Sequence, residues 1–140
     1  MSALPHDAMP LTPARCLLAF DFGTRRIGVA SGNTVTGTST PIGSIDAQGD
    51  ACFLAIKSLI DAWQPQALVV GVPLHPDGQP HAMTQKAERF ARQLEGRFRL
   101  PVARVDERYT SVEAASRGGH DDLDAHSAAI ILEQHLRTLA

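Results

Sequence analysis

A single acidic residue inside the most apolar part of the chain is the feature that most restricts how it can fold. Asp21 lies in the segment Cys16–Phe22, whose other residues are all apolar. An apolar run of this length that ends at Gly23 is typical of a buried central strand. Burying an isolated carboxylate costs several kcal/mol or makes the group neutral. We therefore expect a positive partner near Asp21, which is Arg25, Arg26 or a bound metal ion.

Length and composition indicate one globular domain of ordinary character. The chain has 140 residues, of which 44% are hydrophobic and 20% are charged. No apolar run reaches the roughly 20 residues that a membrane-spanning helix needs, so we expect no membrane partner. The proline-rich start has neither a basic region nor an apolar stretch. We predict a flexible tail over residues 1–14 and a single domain over residues 15–140.

The two cysteines carry little functional information. Cys16 falls in a predicted strand and Cys52 in a predicted helix, without the spacing of a metal site. Buried free thiols in a reducing cytoplasm are the simplest interpretation.

The rest of the pattern predicts two further strands and then an alternation of helices and strands. The second and third strands are expected around residues 27–30 and within residues 37–45, and later strands over residues 67–72 and 102–105. A loop is expected over 73–80, and a capping box over 110–113 indicates a short helix. Three longer helices are predicted from inward-facing stripes: Phe53, Ile56, Ile60 and Trp63, with Asp50 as N-cap; Met83, Ala87, Phe90 and Leu94, from about Ala82 to near Gly96; and Ala128, Leu132, Leu136 and Leu139, from about Asp124.

This order of elements predicts the fold class. Strands joined by short turns pair antiparallel, whereas strands separated by a helix pair parallel through right-handed crossovers. The result is an α/β fold with a mixed five-stranded sheet flanked by helices, which is the ribonuclease H-like architecture.

Three acids fall where such a sheet could bring them together. Asp21 is near the end of the first strand, Glu107 follows the fifth strand, and Asp124 begins the last helix. Carboxylate oxygens are ligands for Mg²⁺ or Mn²⁺, and two such ions about 3.5–4 Å apart can stabilise both oxygens of a phosphodiester displacement. Each acid also has a structural explanation: a salt bridge for Asp21, a solvated turn for Glu107 and a helix cap for Asp124.

Four segments, in this order, resemble the YqgF family of Holliday-junction-resolvase-like proteins, described as candidate pre-16S rRNA nucleases. They are residues 18–30 (LAFDFGTRRIGVA), residues 70–74 (VGVPL) with Asp77 and Gly78, residues 106–111 (DERYTS) and residues 124–132 (DAHSAAIIL). The resemblance implies a ribonuclease H-like, metal-dependent nuclease that acts on structured RNA or DNA, with Asp21, Glu107 and Asp124 as its catalytic and metal-binding acids.

The arginines beside these acids are candidates for nucleic-acid binding. Arg25, Arg26 and Arg108 could hold phosphate groups, although Arg25 and Arg26 fit a solvated hairpin turn equally well. One departure from the family concerns the segment between Glu113 and Asp124, which is shorter than expected. It contains Asp121 and Asp122, so the sequence leaves open which of the three aspartates is the ligand.

The substrate and partners also remain open at this stage. The predicted partner is nucleic acid, either precursor rRNA or branched DNA, and pre-ribosomal particles are a further candidate partner. The sequence does not distinguish a monomer from a homodimer. The alternatives are a Holliday-junction-type DNA resolvase and a non-catalytic RNA-binding factor of ribosome biogenesis. The motif DFGT at residues 21–24 also resembles a phosphate loop of sugar kinases and actin-like ATPases, but those proteins enclose the nucleotide between two such domains.

Overall fold

A computed structural model describes residues 16–74, 77, 79, 82–106 and 123–139. Within these residues the chain forms a five-stranded sheet in the order β3-β2-β1-β4-β5. Strands β1, β2 and β3 pair antiparallel, whereas β1–β4 and β4–β5 are parallel pairs. The predicted mixed sheet is confirmed. Its elements are β1 (Cys16–Phe22), β2 (Arg26–Asn33), β3 (Thr38–Asp46), α1 (Gly49–Trp63), β4 (Ala67–Val72), α2 (Thr84–Phe98), β5 (Val102–Asp106) and α3 (Leu123–Leu139).

Helices cover both faces of the sheet, and the alternation of side chains along each strand divides the core between them. On one face, α1 and α2 pack on the strands through a cluster that includes Leu18, Phe20, Ile56, Leu68, Val70, Phe90 and Leu94. On the other face, α3 packs through Leu17, Ala19, Ala30, Val69, Ala128, Ile131, Leu132 and Leu136. Strand β1 is buried on both sides, which is why the Cys16–Phe22 segment lacks polar alternation.

The start of α1 differs from the prediction. Asp50 is not the N-cap, because the helix begins at Gly49 and Gln48 occupies the cap position without a side-chain hydrogen bond. The turn before the helix is closed by Asp46, whose Oδ1 accepts a hydrogen bond of 3.0 Å from the Gln48 amide. Asp50 therefore lies in the first helical turn.

The inward faces of the helices also need correction at two positions. Trp63 is 43% exposed and Leu139 is 54% exposed, and each is the last residue of its helix. On α1 the core position is taken by Cys52, which is a buried free thiol, whereas the free thiol of Cys16 is half-buried.

Helix α2 is displaced toward the C-terminus relative to its prediction. It begins at Thr84 rather than Ala82 and continues past Gly96 to Phe98. The Thr84 hydroxyl donates a hydrogen bond to the Pro73 carbonyl, which ties the start of the helix to the end of β4. The predicted capping box at residues 110–113 and the tail over 1–14 lie outside the described residues.

None of the helices in the described part of the chain is long and apolar enough to cross a membrane.

Candidate active site

Asp21 lies on the face of the sheet that α3 covers. Leu17 and Ala19, which precede it at alternate positions in β1, pack against α3. Successive side chains of a strand point to opposite faces, so Asp21 shares their side. It is half-buried. The costly acid of the central strand thus lies on the side of α3, whose first turn contains Asp124.

Gly28 connects the two acids. In the antiparallel β1–β2 pair, Asp21 is directly opposite Gly28. A Cβ atom added at Gly28 would lie 1.9 Å from the carbonyl oxygen of Asp124 and 2.2 Å from its carbonyl carbon. Only a residue without a side chain allows this approach. The first turn of α3 therefore rests on β2 beside Asp21, so that Asp21 and Asp124 both adjoin Gly28.

The carboxyl ends of the parallel strands meet at one edge of the sheet. Phe20 of β1 is level with Val70 of β4, and Val72 at the end of β4 is level with Asp106 at the end of β5. The residue after Asp106 is Glu107.

Several predicted site residues cannot be placed. Glu107 and Arg108, together with Asp121 and Asp122, lie outside the described residues. Among the residues that the structure does describe, no three His, Cys, Asp or Glu side chains gather into a metal site. The structure therefore locates two of the three predicted acids and leaves the position of the third as a prediction.

Arg26 is the cation that the structure brings to Asp124. Its Nε lies 3.8 Å from Oδ2 of Asp124 and donates a 3.0 Å hydrogen bond to the Ser44 hydroxyl. Its Nη2 hydrogen-bonds the same hydroxyl. Arg26 is the first residue of β2 and Ser44 belongs to β3. The guanidinium is thus held from one side by the sheet and faces the start of α3 on the other.

Arg25 lies in the turn between β1 and β2 and is exposed. Its carbonyl accepts a 2.9 Å hydrogen bond from the Ala47 amide, which fixes the backbone of the turn. Both arginines line a cavity of about 410 Å³ whose other walls include Ser44, Asp46 and Gln48. Because two arginines line it, this cavity can accommodate an anion beside Arg26.

Sequence reasoning did not select Gly28 or Ser44. A glycine inside a buried strand is itself a signal of close backbone approach, so Gly28 could have been recognised. Ser44 lies in a serine- and threonine-rich strand, and nothing in the sequence distinguishes it from its neighbours.

The family model of RuvX, described as Holliday junction resolvase, matches residues 15–138. The chain belongs to the RuvX family. The resemblance to YqgF proteins is thereby confirmed, since RuvX and YqgF denote one family.

Relatives of the RuvX chain cover almost all of it. A protein of Polaromonas sp. strain JS666 is 53% identical over 139 residues, which are 99% of this chain and 98% of the relative. A protein of Albidiferax ferrireducens is 57% identical over 122 residues, which are 87% of this chain and 78% of the relative. Both are named as candidate pre-16S rRNA nucleases.

Among solved structures, RuvC of Thermus thermophilus in complex with a Holliday junction substrate has a similar fold. The TM-score is 0.58 at 10% sequence identity, and the match covers 89% of the RuvX chain and 95% of that chain. At this identity the likeness concerns the fold alone. It confirms the ribonuclease H-like architecture predicted from the order of strands and helices.

Proposed function

We propose that this RuvX protein is a metal-dependent nuclease that hydrolyses phosphodiester bonds in structured nucleic acid, with precursor 16S rRNA as its substrate in ribosome biogenesis. The observation that carries the proposal is the junction at Gly28, where Asp21 of the central strand and the start of α3 at Asp124 come together. The names of the close relatives support rRNA as the substrate.

The proposed acid set consists of Asp21, Glu107 and Asp124. The missing side chain at Gly28 is consistent with a divalent ion between two of these acids, because it brings the start of α3 against the strand that pairs with Asp21. Carboxylate oxygens are the hard ligands that Mg²⁺ and Mn²⁺ prefer. Alternate residues of β5 face α3, as Ala103 and Val105 do, and Glu107 follows the last residue of β5 directly in the sequence.

When bound, Mg²⁺ or Mn²⁺ would supply Lewis-acid stabilisation of the phosphodiester oxygens. The residues of the chain would supply position and charge. Asp21, fixed in a rigid central strand, would orient the ion, and Asp124 would close the site from the helix side. The phosphates that flank the cleaved bond would be held by Arg25, Arg26 and Arg108. One guanidinium group can donate two parallel hydrogen bonds to the oxygens of a phosphate.

The experiment that tests the proposal compares two substrates side by side. Purified protein is incubated with a precursor 16S rRNA fragment and with a four-way DNA junction, each with Mg²⁺, Mn²⁺, Ca²⁺ or excess chelator. We expect cleavage of the rRNA fragment with Mg²⁺ or Mn²⁺ and none with chelator. Ca²⁺ should inhibit, because its looser coordination misplaces the reacting groups.

A Holliday-junction resolvase is the second candidate, and the description of the matching family favours it. Preferential cleavage of the four-way junction would support this candidate over the rRNA nuclease. Binding of precursor rRNA without cleavage of either substrate would instead indicate a non-catalytic assembly factor that acts on pre-ribosomal particles. We place the activity in the cytoplasm. Sedimentation measurements would show whether the protein is a monomer or a homodimer.

A further inference from the structure

A basic groove with aromatic walls lies between α1 and α2, on the face of the sheet opposite α3. We call it the α1–α2 groove. Its cavity has a volume of about 490 Å³. Three cations of α2, namely Lys86, Arg89 and Arg97, line it together with the rings of Phe22 and Phe53. The whole chain carries a net charge of −2, so this concentration of positive charge is a local feature.

The charges of α2 are sorted onto two flanks of the helix. Lys86, Arg89 and Arg97 follow one flank at positions i, i+3 and i+11, which helical geometry places on one side. The acids Glu88 and Glu95 lie on the opposite flank. Arg104 of β5 binds both acids, with Nε 3.1 Å from Oε1 of Glu88 and Nη1 2.7 Å from Oε2 of Glu95.

This sorting leaves the positive charges on the groove side of α2 without the ion pairs that form on its other flank. Within the described ranges, no carboxylate forms an ion pair with Lys86, Arg89 or Arg97. One acid, Asp50 in the first turn of α1, also lines the groove. The groove therefore carries three cations and one anion, which favours an anionic occupant.

One of these cations, Arg97, contacts the aromatic ring of Phe53. The Arg97 guanidinium carbon lies 3.9 Å from the centre of the Phe53 ring. At this distance the guanidinium and the ring form a cation–π contact. Nucleic-acid bases stack on aromatic rings and on guanidinium planes, and such stacking requires an unpaired base.

The groove also reaches the catalytic edge of the sheet. Phe22, in its wall, directly follows Asp21 in β1, and its ring centre lies 4.9 Å from that of Phe90. Consecutive residues of a strand point to opposite faces. A chain bound in the groove can thus continue past the end of β1 toward Asp21.

We propose that the α1–α2 groove binds a single-stranded stretch of the nucleic-acid substrate that flanks the cleavage point. Lys86 and Arg89 contact its phosphates, and the Arg97–Phe53 pair supports one of its unpaired bases. The inference rests on the proposed nuclease function, but the groove contains none of the proposed catalytic residues.

The test measures binding in chelator, so that cleavage does not interfere. The probe is a fluorescein-labelled single-stranded RNA oligonucleotide of mixed sequence, titrated by fluorescence anisotropy at several KCl concentrations. The variant K86Q/R89Q is compared with R92Q/R137Q, which also removes two exposed charges from helices but lies outside the groove. K86Q/R89Q should lower the magnitude of the salt slope by about 1.4, since each single-strand phosphate contact contributes about 0.7. The control should leave it near the wild-type value.

Two further variants test the charge and the stacking separately. Asp50→Asn should tighten binding, because it removes the one acid of the groove. Arg97→Lys keeps the positive charge but removes the planar guanidinium group. It should weaken binding of the single strand about tenfold and leave binding of a fully paired RNA duplex unchanged.

Several outcomes would overturn the proposal. Equal slope changes for the two double variants would show that only overall charge matters, and a wild-type protein that does not bind the oligonucleotide would exclude the groove as a binding site. If the groove variants lose a dimer that the wild-type protein forms in sedimentation, and their RNA binding is unchanged, the groove is an interface between two copies of the chain. If rRNA is cleaved but the groove variants bind like the wild type, the nuclease function stands and the groove fails. If the groove binds RNA and no substrate is cleaved, the proposed groove stands and the proposed nuclease function fails.

Discussion

The carbonyl oxygen of Asp124 lies 1.9 Å from the place where a side chain at Gly28 would begin. The atoms of Asp124 that the added Cβ would meet belong to the backbone, so no rotamer change at Asp124 can relieve the clash. Because Gly28 is also the strand partner of Asp21, a substitution there acts on two of the three acids of the proposed site, Asp21 and Asp124, without removing either of them.

Gly28→Ala should therefore displace the start of α3. We expect a loss of about 1–3 kcal/mol in the free energy of unfolding, which is typical of overpacking. Cleavage should fall by about 10²-fold, since misplacement of catalytic groups by about 1 Å has that effect. Denaturant unfolding and single-turnover cleavage measure the two effects.

Gly96→Ala is the matched control for this glycine substitution. A Cβ at Gly96, an exposed position within α2, would have no neighbour within 4 Å. This variant should gain about 0.5–1 kcal/mol from helix propensity and keep its activity. An active Gly28→Ala protein would show that the close approach is unimportant for the site.

Asp21→Asn should abolish cleavage while the fold is retained. The substitution keeps the size of the side chain and removes the charge. The free energy of unfolding should be equal or slightly higher without metal, because repulsion among the proposed acids is relieved. Cleavage of precursor rRNA and urea unfolding in chelator measure the two effects. Asp61→Asn, at an exposed acid that pairs with Lys57 on α1, should change neither activity nor fold. Near-full metal-dependent activity of Asp21→Asn would remove Asp21 from the catalytic set.

Arg26→Ala should reduce cleavage much more than it reduces stability. The side chains of Arg26 and Asp124 are 65% and 46% exposed, and exposed ion pairs contribute at most about 1 kcal/mol. Ser44→Ala, which removes the hydroxyl that holds the guanidinium, should give part of the same loss of activity. Rate constants and thermal unfolding of both variants are compared with those of Arg137→Ala on the far end of α3. An equal effect of Arg137→Ala would indicate a general charge effect.

The stability of the protein should depend on pH through His135. Burial lowers the pKa of this α3 side chain below its ordinary value of 6.5. The unfolded chain then binds the proton more readily than the folded one, so the free energy of unfolding falls as the pH drops through about 6.5 and stops falling below the folded-state pKa. Urea unfolding between about pH 7.5 and about pH 5.5 measures the change, in a range where carboxylates stay ionised.

His135→Gln should remove this dependence. His126→Gln on the same helix still contains His135 and should retain it. A pH profile of His135→Gln that matches the wild type would assign the effect to other groups.

Local sequence determined most of the secondary structure. The apolar runs of β1 and β4 predicted these strands at the residues where they are found, because strands buried on both faces leave an unbroken hydrophobic signal. The arrangement of hairpins and crossovers then restricted the sheet to the mixed order that is observed. Helix ends were less well predicted: the start of α1 depends on the turn at Asp46, and that of α2 on the Pro73 carbonyl.

The candidate site was only partly readable from the sequence. Asp21 was recognisable because a carboxylate in an apolar strand is costly, and this holds in any fold. Its nearness to Asp124 depends on two segments about a hundred residues apart, and only the packing of α3 on β2 at Gly28 brings them together. The α1–α2 groove likewise depends on tertiary packing. The sequence contains its cations, but the pairing of Glu88 and Glu95 with Arg104 of β5 decides which flank of α2 keeps its positive charge.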